Sequence, residues 1–304
     1  MANTLKIGSP EHKELLCRTF IDTHDPFKPA EIRWPDLDAE SLARLKAMPI
    51  WNEATRTEAA TAVKVQSLGD TEKDPLLAEA ISLQGYEEAR HSETLMLLTK
   101  HYGIEVMPFP PPEVPKDPTL AFLRTGYGEC LDSFFAFGLF RLGERAEVFP
   151  KAFVSIFETI MQEEARHILF IVNWAAYLRA RRPALLRPGF DAWRGWNIAA
   201  QAIDRLKGAL KIAGGEGKKE PKTDPATGRD AAQAGFTLKA HAVFGDFSLR
   251  AFLETCLEEN ERRLAPYDPR LLRPNLVPSF VRQFVKVLPR RASSPPPSPE
   301  EKAA

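Results

Sequence analysis

Cysteine is scarce in this chain. The three residues, Cys17, Cys130 and Cys256, lie far apart and form no Cys-x-x-Cys pair. That excludes a disulfide framework and argues against a thiolate zinc site or a rubredoxin-type iron site. Net charge is missing as well, because 41 Lys+Arg balance 41 Asp+Glu. A dedicated nucleic-acid binder carries a basic surplus, so nucleic acid is not an expected partner. Long apolar runs are also lacking. The most apolar stretch, Ile168 to Leu178, is interrupted by Asn173 and falls short of the roughly 20 residues that span a bilayer. The first residues hold no apolar run of signal-peptide length. These absences lead us to expect a cytoplasmic protein of a reducing compartment, with no transmembrane segment.

Proline, by contrast, is abundant: 26 in 304 residues, above the usual ~5%. An interior proline costs a helix ~3 kcal/mol, so an even scatter would forbid long helices. The prolines are instead clustered. Proline-free windows cover 50–74, 76–107, 119–149, 151–182 and 226–265, each far longer than a strand of ~5–6 residues. Within them apolar residues recur at helical spacing, as in Leu76, Leu77, Ala80, Ile81 and Leu83, or Phe153, Ile156, Phe157, Ile160 and Met161. Asp74-Pro75 reads as an N-cap followed by proline at the first helical position. Six prolines between Met107 and Thr119 form an extended crossover. The expected fold is all-α: a four-helix bundle of two hairpins over 49–182 with one long crossover, the ferritin-like arrangement. Residues 1–48 are expected to wrap the outside. A helical extension follows over 183–291, with helices near 188–212 and 235–264 around a flexible polar segment, 214–231. The proline-rich end, 292–304, reads as disordered.

Two of the four windows contain the same pentapeptide, Glu87-Glu88-Ala89-Arg90-His91 and Glu163-Glu164-Ala165-Arg166-His167. Positions i and i+3 share a helix face, so Glu88 with His91, and Glu164 with His167, each present a carboxylate and an imidazole in one direction. A centre for two divalent metals needs two such helices plus one Glu from each of the other two. Carboxylate and imidazole donors suit iron or manganese. Ligands in an antiparallel hairpin must lie at equal depth from the turn. In the first hairpin that count ends near residue 56, where Glu58 is the nearest interior carboxylate and Glu53 the next. In the second it ends near 133. Glu129, one turn away, is favoured, Glu144 is the alternative, and Asp132 is nearest by count but shorter.

The duplicated Glu-Glu-Ala-Arg-His motif resembles the ferritin-like di-iron carboxylate superfamily, which includes rubrerythrins, di-iron monooxygenases and ribonucleotide reductase small subunits. The resemblance spans roughly Pro49 to Arg182. It implies six metal ligands: Glu58, Glu88, His91, Glu129, Glu164 and His167. It further implies that Glu87 and Glu163 accept hydrogen bonds from the metal histidines, each acid serving the histidine of the opposite hairpin and braced by Arg90 or Arg166. The implied cofactor is a pair of iron ions, Fe/Fe or Mn/Fe. The implied activity is that of a non-haem di-iron oxidase or oxygenase, an oxidoreductase that uses O2 to hydroxylate, N-oxygenate or desaturate a small apolar organic substrate. With no cysteine pairs, electrons must come from an external reductase or ferredoxin. The alternative is a rubrerythrin- or ferritin-like protein of iron storage or peroxide detoxification. A third reading is a metal-free relative that keeps the fold. A homodimer is compatible with all three.

Other features have plainer readings. Phe134, Phe135, Phe137 and Phe140 suit core packing more than a substrate pocket, and Cys130 suits a small buried hydrophobe. His12, His24, His101 and His241 have no partner at a meaningful spacing and are expected to be structural or exposed. Arg179, Arg181, Arg182 and Arg187 follow the fourth window. The basic amphipathic stretch Phe280 to Arg291 suits packing on the protein itself, with peripheral contact to a membrane surface as the alternative.

Overall fold

The computed structural model describes residues 5–48, 50–213 and 249–288. Every regular element among them is helical, with no strand. The helices are α1 (Pro10–Asp22), α2 (Ala39–Ala47), α3 (Trp51–Thr71), α4 (Pro75–His101), α5 (Pro118–Arg145), α6 (Lys151–Arg181), α7 (Arg187–Ala213), α8 (Leu249–Leu264) and α9 (Leu276–Val287). None is long and apolar enough to cross a membrane. Both the expected 214–231 segment and the 292–304 tail lie outside the described residues, as does the start of the helix expected from 235.

The local chemistry of the helix ends explains why prolines and long helices coexist. Asp74 caps α4 by accepting from the backbone N–H of Leu76 and Leu77 at 3.2 and 3.3 Å, with Pro75 in the first turn. Asp117 caps α5 in the same way, accepting from Leu120 N at 2.9 Å ahead of Pro118. At the other end of α4, Ile104 N donates to Thr99 O at 2.8 Å around Gly103, whose φ is +61°. This is a glycine-terminated helix end that releases the chain into the proline-rich crossover. The α5–α6 turn uses the same geometry, with Val148 N bonded to Gly143 O. There the left-handed position is held by Glu147 at φ 50°, where a side chain is sterically disfavoured.

α3 pairs with α4 and α5 with α6. Both pairs are antiparallel. A Cβ on Gly69 would meet Ser82 and one on Gly85 would meet Gln66, while Ser92 Oγ donates to Thr55 O. Across the second pair Gly126 faces Ile171 and Ser133 faces Glu164. α8 lies along α5 and α6, close enough that a Cβ on Gly138 would sit 2.2 Å from Cys256 Sγ. α7 packs on α5, and α9 packs on α8.

The N-terminal region departs from the expectation of an outer wrap. α1 lies against both α4 and α6, and its Leu16, Cys17 and Phe20 belong to the main core with Ile81, Phe122 and Phe170. Ser9 caps α1 by accepting from His12 N, and buried His12 bonds Asn173 at 3.1 Å. The apolar spacing that inserts α1 is present in Leu15, Leu16, Phe20 and Ile21. It is spread over only 13 residues, too short for periodicity alone to separate a core helix from a surface one.

The left-handed Glu147 supplies a test of the α5–α6 turn. Glu147→Gly should raise the thermal midpoint, worth about 1 kcal/mol, by removing the Cβ clash. Gly103→Ala should lower it by a similar amount. Both shifts are measured by calorimetry.

Candidate metal centre

The two pentapeptides face each other across α4 and α6, and six of their eight polar side chains, those of Glu87, Arg90, His91, Glu163, Arg166 and His167, interlock. His91 Nε2 lies 2.8 Å from Glu163 Oε2, and His167 Nε2 lies 2.8 Å from Glu87 Oε2. Each acid therefore serves the histidine of the other hairpin. Each arginine crosses over too: Arg90 Nη2 donates to Glu163 Oε1 and Arg166 Nη2 to Glu87 Oε1. All six side chains are buried. Two carboxylates and two guanidiniums make this layer electrically neutral, which is what permits charge at such depth. Glu87 is held down to about 2 against the cost of burial by its bonds and charges from His167, Arg166 and His24.

The acceptor at Nε2 decides what Nδ1 can do. With Nε2–H donating to a carboxylate, the Nδ1 lone pair of a neutral imidazole is left to face the interior. Both Nδ1 atoms are buried and make no hydrogen bond within the protein. The rings sit 5.6 Å apart, nearly parallel at 29°. Around them, one group of donors comprises Glu58, Glu88, His91 and Glu164, and a second comprises Glu88, Glu129 and His167. Glu88 belongs to both. Glu164 Oε1 lies 3.2 Å from His91 Nδ1 and 3.9 Å from His167 Nδ1, so it stands between the imidazoles. Every residue in the expected set of six is thus brought to one place.

The donor atoms suit a metal better than they suit one another. His167 Nδ1 lies 3.0 Å from Glu88 Oε1, without the alignment of a hydrogen bond. Two ligands at about 2.1 Å from one ion and at right angles stand about 3.0 Å apart. Both carboxylate oxygens of Glu129 are buried with no partner, and such groups are costly unless something outside the protein chain satisfies them. Four carboxylates also match the charge of two divalent ions. Without metal, the same cluster is balanced by protons. Burial, with the charges of Glu88 and Glu164, pushes Glu129 well above the usual carboxylate range. The same causes raise Glu58 to about 8. Although burial disfavours the imidazolium, the surrounding carboxylates hold His91 and His167 well above the ordinary histidine value. Glu164 is held below its usual value against burial by His91, His167 and Ser133.

The depth count for the second hairpin ended at residue 133 for a physical reason. Ser133 is the residue opposite Glu164, to which it donates at 3.3 Å. The α5 carboxylate groups instead with His167, one turn deeper, and that residue is Glu129. The alternative Glu144 is corrected: it is exposed at the end of α5 and paired with Arg141. Glu53 and Asp132 join neither group. His24 corrects the reading of a histidine without a partner. Its Nδ1 binds Glu87 Oε1 from the segment after α1, and only tertiary structure brings residues so distant in sequence together. His24, Glu87 and Glu163 also form a third acid-imidazole group, but the guanidiniums of Arg90 and Arg166 already neutralise those two acids.

The remaining residues take plainer places. His101 is exposed beside Trp34 and Tyr102, and His241 lies outside the described residues. Phe134 and Phe137 are core residues, and Phe135 and Phe140 are half-buried. Cys130 packs against the main core, and burial raises its thiol to about 12. Arg179 pairs with Asp191 and Arg187 donates to Ala180 O, so these arginines close the α6–α7 turn. On α9, Val281 and Val285 pack against Phe252 and Leu253, while Phe280 and Val287 are exposed.

The proton-balanced cluster implies a pH dependence. Glu58 titrates near 8 in the fold and near 4.5 when unfolded. The unfolded chain therefore ionises first, and the contribution of this group to stability falls as pH rises between those values. The raised histidines act in the same direction, because their protons stabilise the fold below their folded values and are lost above them. Metal-free protein should lose stability from 4.5 to about 8, and Glu58→Gln should flatten that slope in denaturant titrations at stepped pH.

No family model matches this chain, and no curated protein or solved structure matches it either.

Proposed function

We propose that this protein is a non-haem di-iron oxidase or oxygenase, built on a ferritin-like four-helix bundle made by α3 to α6. The observation that carries the proposal is the inward convergence of two half-sites related by the repeated pentapeptide. Their imidazole Nδ1 atoms and the Glu129 oxygens are buried and unpartnered, while the outer nitrogens are fixed by carboxylates. Glu58, Glu88, His91 and Glu164 would hold one ion, and Glu88, Glu129 and His167 the other, with Glu164 between them. All-oxygen and imidazole donors suit Fe/Fe, or Mn/Fe, over thiolate-preferring metals. When bound, such a pair supplies reduction of O2 coupled to oxidation of an organic substrate, chemistry that no side chain provides alone.

The protein's own groups have definable tasks around it. Glu87 and Glu163 orient His167 and His91, and Arg166 and Arg90 hold those acids in place. Ser133 orients Glu164. Glu58 and Glu164 retain 26% and 14% side-chain exposure while the histidines and Glu88 have 2% or less. Small molecules therefore approach from the Glu58–Glu164 side, and the opposite side is sealed by α1 with Phe20 and Phe170. Half-buried Phe157 and Met161 precede Glu164 by seven and three residues on α6, the same helix face. They give that approach an apolar border, which suits an apolar organic substrate. Electrons would come from a separate reductase or ferredoxin.

Metal analysis with O2 uptake tests the reading. The protein reconstituted anaerobically with ferrous iron should hold two ions per chain and consume O2 with a reductant. Glu88→Ala and His167→Ala should each lose at least one ion and reduce O2 uptake by about 100-fold or more. Chains that stay metal-free after reconstitution would sink the proposal in favour of a structural relative. Rapid peroxide turnover with no organic substrate would favour the iron-handling or peroxide-detoxifying alternative. Loading should also release protons from Glu58, Glu129, His91 and His167, so apparent affinity should fall as pH drops below about 8 in a weakly buffered titration.

A further inference from the structure

The two halves of the centre look equivalent in sequence and are not equivalent in space. Glu163 accepts from His91 and Arg90. Glu87 accepts from His167 and Arg166, and in addition from His24. That extra donor comes from the segment joining α1 to α2; this segment lies across the outer face of Arg90, and the last turn of α1 lies across that of Arg166. Arg90 Nη1 donates to the carbonyls of Asp25 and Phe27 at 2.7 and 3.1 Å, and Arg166 Nη1 to that of Phe20 at 3.4 Å. The Phe27 ring sits 4.0 Å from the Arg90 guanidinium carbon and the Phe20 ring 4.7 Å from that of Arg166. Backbone carbonyls and rings thus hold both arginines, Arg90 through two carbonyls and the rings of Phe27 and Tyr86, Arg166 through one carbonyl and the ring of Phe20. Among the described residues, the side chain of His24 is the one donor that reaches only one of the two acids.

We infer that His24 is a positioning residue for the His167 half of the centre, and that through it the N-terminal segment makes the two metal positions unequal in affinity. His24 donates to the oxygen of Glu87 that also receives Arg166, leaving Oε2 for His167. With three donors around one carboxylate, Glu87 has one orientation, and so does the His167 ring that depends on it. Among the described residues Glu163 has no equivalent third donor, so removal of His24 acts on one position only. His24 is 20% exposed, beside the ring of Tyr86 at 6.2 Å. It is therefore a point at which the surface reaches the inner acids through a single side chain. The inference rests on the di-metal reading above, and its test separates the two.

The probe is Mn(II), counted by electron paramagnetic resonance on the full chain, in wild type, His24→Phe and His24→Asn. The Asn amide places an N–H where the His Nδ1–H stood. In wild type, two ions should bind. In His24→Phe one should bind as before and the other about 10- to 100-fold more weakly. His24→Asn should restore most of the loss. Equal binding in wild type and His24→Phe would overturn the inference and leave the di-metal reading intact. So would equal weakening of both positions, or failure of Asn to rescue, because either result marks His24 as a part of the fold only. A wild-type chain that binds no Mn(II) and no ferrous iron would overturn the reading itself, and the inference with it.

Discussion

The rest of the structure depends on one exchange of charges between α4 and α6. Glu87 and Glu163 are buried, and each is neutralised by the arginine and engaged by the histidine of the other helix. Burying any one of these six groups alone would cost several kcal/mol. Buried together they form a closed set in which every charge has a counter-charge. The exchange sets the separation, register and rotation of the two helices, because a one-residue slip would point the acids away from their partners. The cost of the set is offset by the core around it, where Ile81, Phe122, Phe170 and Trp174 pack with α1.

From that exchange the inner cluster follows. Once the outer nitrogens of His91 and His167 are committed to carboxylates, their inner nitrogens have no partner except what the four glutamates enclose. The inner cluster can be neutral in two ways, with four protons on Glu58, Glu129, His91 and His167, or with two divalent cations. The raised values of those four groups are the mark of the protonated form. A fold that needed only a stable core would gain nothing from holding four carboxylates so close.

How much of this was legible along the chain depends on the range of the interaction. Helix starts were legible to within a residue or two, because signals such as Asp74-Pro75 act within one turn of themselves, whereas the end of α4 at Gly103 was not read and the proline-free window ran on to 107. The pentapeptide was legible because it repeats. Glu58 and Glu129 were only approachable, since counting depth from a turn assumes that equal counts mean equal height. Ser133 took the counted place, and Glu129 lay one turn deeper. α1 and His24 were not legible in their roles. A 13-residue amphipathic helix fits a surface as well as a core, and the one sign at His24, a titratable residue in a loop, is shared by any exposed histidine.

The sequence by itself determined the helical character of the described residues, the positions of the long helices, and two carboxylate–imidazole faces of matched composition. Local chemistry accounts for all of that: caps, prolines and the 3.6-residue period act within a few residues. Only the tertiary structure decided which acid faces which histidine, which α5 carboxylate completes the cluster, and that residues 20–27 close over the motif arginines. Those outcomes depend on how helices far apart in sequence are rotated and offset against one another. That is settled by the whole core at once and is not encoded in any one segment.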